Sequence, residues 1–97
     1  MGASPQTTTL TATTVATITL DKDYEHLEVL NVTGTDAVYF AFGTTTPTVA
    51  GDTCQVLPAC INSLTVQPRQ LGHTAGTNTA VKLISAGTPT ISVRGIE

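Results

Sequence analysis

The sequence predicts a small all-β domain, and three observations lead to that fold class. Threonine occurs 21 times among 97 residues, and this β-branched residue fits a pleated, half-buried surface. Apolar and polar residues alternate in short segments that are separated by Gly, Pro, Asn and Thr, as strands and turns require. No segment has the i, i+3, i+4, i+7 spacing of an amphipathic helix. We therefore expect an antiparallel β-sandwich, either jelly-roll-like or immunoglobulin-like, or a barrel.

The first fourteen residues, MGASPQTTTLTATT, differ from the rest of the chain because Leu10 is their only large apolar residue apart from Met1. Such a segment cannot bury enough surface to offset the entropy lost on ordering. We therefore divide the chain into an extended N-terminal arm, residues 1–14, and a single β-domain, residues 15–97. We expect the arm to be held by another chain or by a neighbouring copy of this one, through β-augmentation. The alternative is a strand that the arm adds to its own domain's sheet.

The domain begins with two strands of alternating polarity. VATITL (15–20) places Ala16, Ile18 and Leu20 on one face, because side chains in a strand alternate between its two sides. The polar DKDYE connection leads to HLEVLNVTG (26–34), which a glycine ends.

The most hydrophobic strand is AVYFAF (37–42), and we expect it near the centre of a sheet, with Val38, Phe40 and Phe42 on one side. The later predicted strands are TCQVL (53–57), INSLTVQ (61–67), AVKLIS (80–85) and TISVRGI (90–96). The segments between these strands are rich in turn-forming residues.

The two cysteines, Cys54 and Cys60, have the spacing C-x5-C. This is neither the C-x-x-C of redox and zinc-ribbon sites nor half of a zinc finger, and His26 and His73 follow no spacing rule. We interpret the cysteines as reduced, mostly buried thiols, as expected for a protein made in the cytoplasm. A disulfide is the alternative, because the chain can turn at Pro58.

The DKDYE segment places Asp21, Asp23 and Glu25 at alternate positions, like the start of a calcium loop. An EF-hand is excluded, because His26 replaces the glycine at position six and Val32 replaces the glutamate at position twelve. We interpret these acids as solvated surface charge, with a loose calcium site as the alternative. No serine lies in a nucleophile elbow and no phosphate loop is present. We expect no catalytic residue, no metal and no cofactor.

Charge and hydropathy argue against two classes of partner. The net charge is −3, and the four cations, Lys22, Arg69, Lys82 and Arg94, are far apart in the sequence, whereas nucleic-acid binding needs clustered cations. No apolar run approaches the 18 residues of a membrane span, and the N-terminus lacks the pattern of a signal peptide. We expect no nucleic-acid partner and no membrane.

The stretches LNVTGTDAVYFAFGTTTPTVAGDTCQVLPAC and VKLISAGTPTISVRG resemble a family of small structural proteins of tailed bacteriophages. The resemblance covers roughly residues 29–96, and its elements are Tyr39-Phe40, Pro47 to Asp52, Leu57 to Ala59, Val81 to Ser85, Gly87 to Pro89 and Ser92 to Gly95. The two cysteines match nothing in the family's pattern.

The resemblance implies a virion protein made in the host cytoplasm, most simply a capsid decoration (cement) protein on the outside of the head. Its partner would be the major capsid protein, and it would form a homo-oligomer, with a trimer favoured. The alternative is a tail or head-fibre component that binds a receptor or carbohydrate, for which Tyr24 is the only exposed aromatic platform expected. We expect the partner contacts in the arm and in the loop at 47–52, at Pro5, Thr8, Leu10, Pro47 and Val49.

Overall fold

The computed structural model describes residues 6–33, 35–51, 54–59 and 63–96. Its strands are β1 (Gln6–Thr9), β2 (Ala16–Thr19), β3 (His26–Asn31), β4 (Val38–Ala41), β5 (Gln55–Leu57), β6 (Ser63–Val66), β7 (Ala80–Ser85) and β8 (Thr90–Ile96). A short 3-10 helix, η1 (Pro68–Leu71), lies between β6 and β7. The strands form two four-stranded antiparallel sheets with the orders β1-β8-β3-β6 and β2-β7-β4-β5.

The strand pairing is nested, as if one long hairpin had been folded over on itself. β1 pairs with β8, β2 with β7, β3 with β6, and β4 with β5. Of these pairs only β4 and β5 are consecutive in the chain, and every other connection passes from one sheet to the other. This is the jelly-roll arrangement, so the predicted all-β sandwich is confirmed. The strand order is that of the jelly-roll alternative and not that of an immunoglobulin domain.

The core lies between the two sheets and follows from the period-two pattern. Leu27 and Val29 of β3 face inward from one sheet, and Val38 and Phe40 of β4 face inward from the other, all with no exposed surface. Burying one such side chain stabilises the fold by about 1.5–3 kcal/mol. The expectation that AVYFAF lies inside a sheet is confirmed, because β4 has neighbours on both sides. The Phe40 and Phe42 rings pack edge to face, with their centroids 6.1 Å apart.

For residues 6–10 the structure shows the second of the two alternatives, a strand added to the domain's own sheet. β1 pairs with β8, and the hydroxyl oxygens of Thr9 and Thr90 lie 2.9 Å apart across the two strands. Leu10 is only 1% exposed, and its N–H donates to the Pro89 carbonyl at 2.9 Å. Threonine pairs and one buried leucine therefore hold a segment that looked too polar to pack. Residues 1–5 lie outside the described residues.

Tyr24 is buried, so the expectation that it offers an exposed aromatic platform is wrong. Its side chain is 7% exposed, and its ring lies against Gly95 of β8, where any Cβ would overlap the ring carbons. The hydroxyl donates to Asp21 Oδ1 at 2.7 Å, and Lys22 Nζ lies 5.2 Å from the ring centroid. A glycine inside a strand marks a close approach of this kind, which the sequence alone did not pair with Tyr24.

Candidate interaction surfaces

The sandwich has two ends of different composition. Four connections, β1–β2, β3–β4, β5–β6 and β7–β8, lie at one end, because each strand of the antiparallel sheets reverses the chain direction. Their described residues are 10–15, 32–33, 35–37, 58–59 and 86–89, and we call this the charge-poor end. The described residues of the opposite end are 20–25, 42–51, 54 and 67–79, and we call it the charged end.

Hydrogen bonds tie the connections of the charge-poor end together. The Thr13 N–H donates to the Ser85 carbonyl at 2.8 Å. The Ser85 hydroxyl donates to the Ala37 carbonyl, and the buried Asn31 amide donates to the Asp36 carbonyl, both at 2.7 Å. The Ser85 hydroxyl also accepts a bond of 3.3 Å from the Gly87 N–H, so Ser85, the last residue of β7, links three of the four connections.

This end carries almost no charge. Among its described residues Asp36 is the only ionisable side chain, and it lies over Gly87. The other described residues are Thr, Ala, Val, Pro, Gly and the buried Leu10. By contrast, the charged end carries Asp21, Lys22, Asp23, Glu25 and Arg69. The centre of a protein–protein interface is depleted of charged residues, and the charge-poor end shares this one feature of a contact surface.

Exposed valines lie around the charge-poor end. Val32, Val56 and Val15, with 55%, 45% and 37% of their surfaces exposed, are the exposed large hydrophobic residues in the described part of the chain. Val32 follows β3, Val15 precedes β2, and Val56 lies next to the last residue of β5. Tyr39 is opposite both Val56 and Ile84 in the sheet, and directly opposed residues share a face. The exposed Val56 therefore shares the outer face of the β2-β7-β4-β5 sheet with the half-buried Tyr39 and the buried Ile84.

The structure does not bring the predicted contact residues together. Leu10 belongs to the core and Pro47 is buried, so neither is available to a partner. Thr8 is half-buried in β1, and Val49 is half-buried in the connection between β4 and β5, at the charged end. Pro5 and Asp52 lie outside the described residues. The exposed valines were missed because nothing in the sequence shows which turns share one end of the sandwich.

The charged end contains a cluster of residue types that also occur in active sites. Asp23 Oδ1 lies 3.0 Å from His73 Nε2, and Asp23 Oδ2 accepts bonds of 2.9 Å from Arg69 Nη2 and from the Gly76 N–H. The pKa of Asp23 lies below its ordinary value, chiefly because the Gly76 N–H and then the Arg69 guanidinium bond to the carboxylate. Burial raises this pKa by a smaller amount, and the bond with the His73 ring lowers it further. An ionised carboxylate only accepts hydrogen bonds, so His73 Nε2 carries the proton.

All these bonds link Asp23 of the β2–β3 connection to residues of the β6–β7 connection. Two more hydrogen bonds join the same two segments. The Thr79 N–H donates to the Lys22 carbonyl at 3.0 Å, and the Tyr24 N–H donates to Thr79 Oγ1 at 2.9 Å. The cluster therefore links the β2–β3 and β6–β7 loops to each other. The interpretation of the DKDYE acids as solvated charge is wrong for Asp23, whose partners lie 46 to 53 residues away.

Within the described residues, no group of three or more His, Cys, Asp or Glu side chains is placed to hold a metal ion. Cys54 is a free, half-buried thiol, and its Sγ lies 3.5 Å from the Gly51 carbonyl and 3.6 Å from the Thr48 carbonyl. Cys60, the other half of the alternative disulfide, lies outside the described residues.

The described part of the chain has no helix that is long and apolar enough to cross a membrane. No protein-family model matches the chain, and no curated protein and no solved structure matches it.

Proposed function

We propose that the protein is a structural protein of a tailed-bacteriophage virion, a capsid decoration (cement) protein on the outer surface of the head. The resemblance over residues 29–96 supports the virion role. The observation that carries the adhesive role is the unequal distribution of charge: the charge-poor end has Asp36 as its one ionisable side chain among the described residues, and the exposed Val15, Val32 and Val56 lie at or next to it. We propose that this end faces the capsid and that the charged end faces the solvent.

The stabilising mechanism needs no chemistry. A protein that binds the assembled shell and not its loosened form shifts the equilibrium toward the shell by mass action. Burying the remaining exposed surface of Val15, Val32 or Val56 contributes about 1 kcal/mol for each side chain, which is roughly a fivefold change in affinity. A single copy would therefore bind modestly, and an oligomer would gain further from the linkage of its contacts.

A matched pair of substitutions tests the orientation. Thr88 and Thr44 are both exposed, the first at the charge-poor end and the second at the charged end. Thr88→Asp places a charge inside the proposed contact, and a buried unpaired charge costs several kcal/mol. We expect occupancy on capsids stripped of the protein to fall by about tenfold or more, and Thr44→Asp to leave it unchanged.

Co-sedimentation with purified capsids measures the occupancy, and Val32→Asp provides a second variant at the charge-poor end. Thermal melting of each variant shows that the fold is retained. If Thr88→Asp and Val32→Asp both bound capsids as well as the unchanged protein does, the proposed orientation would be contradicted. Failure of the unchanged protein to bind capsids would contradict the function itself.

The alternative function, a fibre component that binds carbohydrate, has less support. Jelly rolls also occur in lectins, so the fold does not distinguish the two functions. Sugar sites usually offer an exposed aromatic face, however, and Tyr24 is buried while Tyr39 is half-buried. Specific binding on a glycan array together with no binding to capsids would favour the alternative.

A further inference from the structure

Both sheets end on the same side of the sandwich. β1 is the edge strand of one sheet and β2 is the edge strand of the other. The two strands border a groove of about 460 Å³, lined by Gln6–Thr8 and by Ala16–Thr19. An edge strand presents a row of backbone donors and acceptors to any strand that approaches it. This side therefore offers two such rows next to each other.

Neither edge strand carries the features that usually prevent strand addition. Natural edge strands are protected by lysines or other charges, by proline, or by a covering element. The sequences of β1 and β2 are QTTT and ATIT, with no charge and no proline. Thr7, Thr9 and Thr17 are exposed, so strand addition would meet neutral hydroxyl and methyl groups.

The opposite side of the sandwich, where β5 and β6 are the edge strands, is partly covered. A cleft there is lined by Gln55 of β5, Val66 of β6 and Leu71 of η1. Leu71 also packs against the core, and Pro68 is buried. The 3-10 helix thus lies beside these two edges, and within the described residues no such element lies beside β1 and β2.

We propose that the side formed by β1 and β2 binds the same side of a second copy of this chain. In this arrangement a two-fold axis runs perpendicular to the sheets. β1 then pairs with its own copy, β2 pairs with its own copy, and both pairs are antiparallel. Each four-stranded sheet continues into a second one, and the dimer contains two eight-stranded sheets. This proposal does not depend on the capsid assignment.

A second copy fits this side of the sandwich better than a single peptide for two reasons. A single extended peptide can pair with only one of the two edges, whereas a two-fold copy presents both at once, as an isologous interface does. Like charges opposite each other destabilise strand pairs, and self-pairing would bring each charge close to its own copy. The absence of charge in β1 and β2 removes that repulsion.

The side-chain pattern of β2 is compatible with this pairing. If Ile18 lies opposite Ile18 of the second copy, then Thr17 lies opposite Thr19. Directly opposed residues share a face, so the buried Ile18 stays on the core side and Thr17 stays on the outer side. An isologous contact uses the same surface on both copies, so it closes on itself and association through this side stops at two copies.

The test uses lysines, the residue with which natural proteins protect edges. The double variant Thr7→Lys/Thr17→Lys changes the proposed interface, and Thr65→Lys changes an exposed threonine of β6 on the opposite side. The chain has a mass of 10.0 kDa. By sedimentation velocity we expect a dimer of twice that mass for the unchanged protein and for Thr65→Lys, and a monomer for the double variant at the same concentration.

Hydrogen exchange of the unchanged protein gives a readout that does not depend on any variant. We expect the amides of β1 and β2 to exchange more slowly as the concentration rises through the dimerisation range, while those of β5 and β6 do not change. A monomeric unchanged protein, a mass of three chains as the resemblance favours, or a double variant that remains a dimer would each overturn the proposal. Both experiments use the purified chain without capsids, so they are independent of the proposed function.

Discussion

The packing of Tyr24 on Gly95 gives the sharpest prediction for the fold. The Tyr24 ring is buried and lies where a side chain at position 95 would begin. Gly95→Ala therefore forces either the ring or strand β8 to move. The backbone of β8 favours no special glycine conformation at this position, so the effect comes from the overlap alone.

The expected loss of stability follows from two contributions. Adding a methyl group to a well-packed core costs about 1–3 kcal/mol. If the ring moves, the bond from the Tyr24 hydroxyl to Asp21 is weakened, which costs about 0.5–1.5 kcal/mol more. We expect a total of about 2–4 kcal/mol, which in a domain of this size lowers the melting temperature by roughly 10–25 °C.

Thermal and urea denaturation of Gly95→Ala, Tyr24→Ala and the double variant measure this loss. Tyr24→Ala alone removes a buried aromatic ring and costs about 3–5 kcal/mol. In its background Gly95→Ala should cost less than about 1 kcal/mol, because the new methyl group finds empty space. An equal loss in both backgrounds would show that the ring is not the cause, and no loss at all would refute the packing.

Two further predictions concern the loops of the charged end. The folded-state pKa of Asp23 lies below its ordinary value of 3.8, so its ionised form stabilises the fold above that pH, and this stabilisation is lost as the pH falls through the lowered pKa. Below about pH 4, we expect the melting temperature to decrease with pH less steeply in Asp23→Asn than in the unchanged protein or in Glu25→Gln. Identical slopes would contradict the role of Asp23 in linking the two loops. Gly43 has a φ of 65° and its missing Cβ would overlap the Gly72 carbonyl, whereas Gly76 has a φ of 86° and open space around it. Chemical denaturation should show that Gly43→Ala costs about 1–3 kcal/mol more than Gly76→Ala, and an equal cost would show that the loops do not touch.

The strands with strong alternation could be predicted from the sequence. β7 and β8 have the predicted bounds, Ala80–Ser85 and Thr90–Ile96, because Leu83, Ile91 and Val93 mark the inward face clearly. β1 could not be predicted as a strand of this domain, because its stability comes from its pairing with β8, more than 80 residues away. A local count of apolar residues does not include such partners.

The candidate surface could be predicted less well than the fold. The valines at positions 15, 32 and 56 are ordinary strand residues in the sequence, and only the nested pairing brings their strand ends to one side. The same holds for Asp23, whose partners Arg69, His73 and Gly76 belong to a loop that the pattern marks only as rich in turns. Sequence periodicity reports burial within a strand, but it does not report which connections meet at one end of a sandwich.

The central claim is that this protein acts by adhesion through its charge-poor end. If the proposed function is right, the chain belongs to a phage particle, and electron cryomicroscopy of that particle is the decisive measurement. We expect density for an eight-stranded sandwich on the outer surface of the head, with Val32 and the 86–89 connection against the shell and Asp23 toward the solvent. Density that places the charged end against the shell, or no such sandwich on the head, would contradict it.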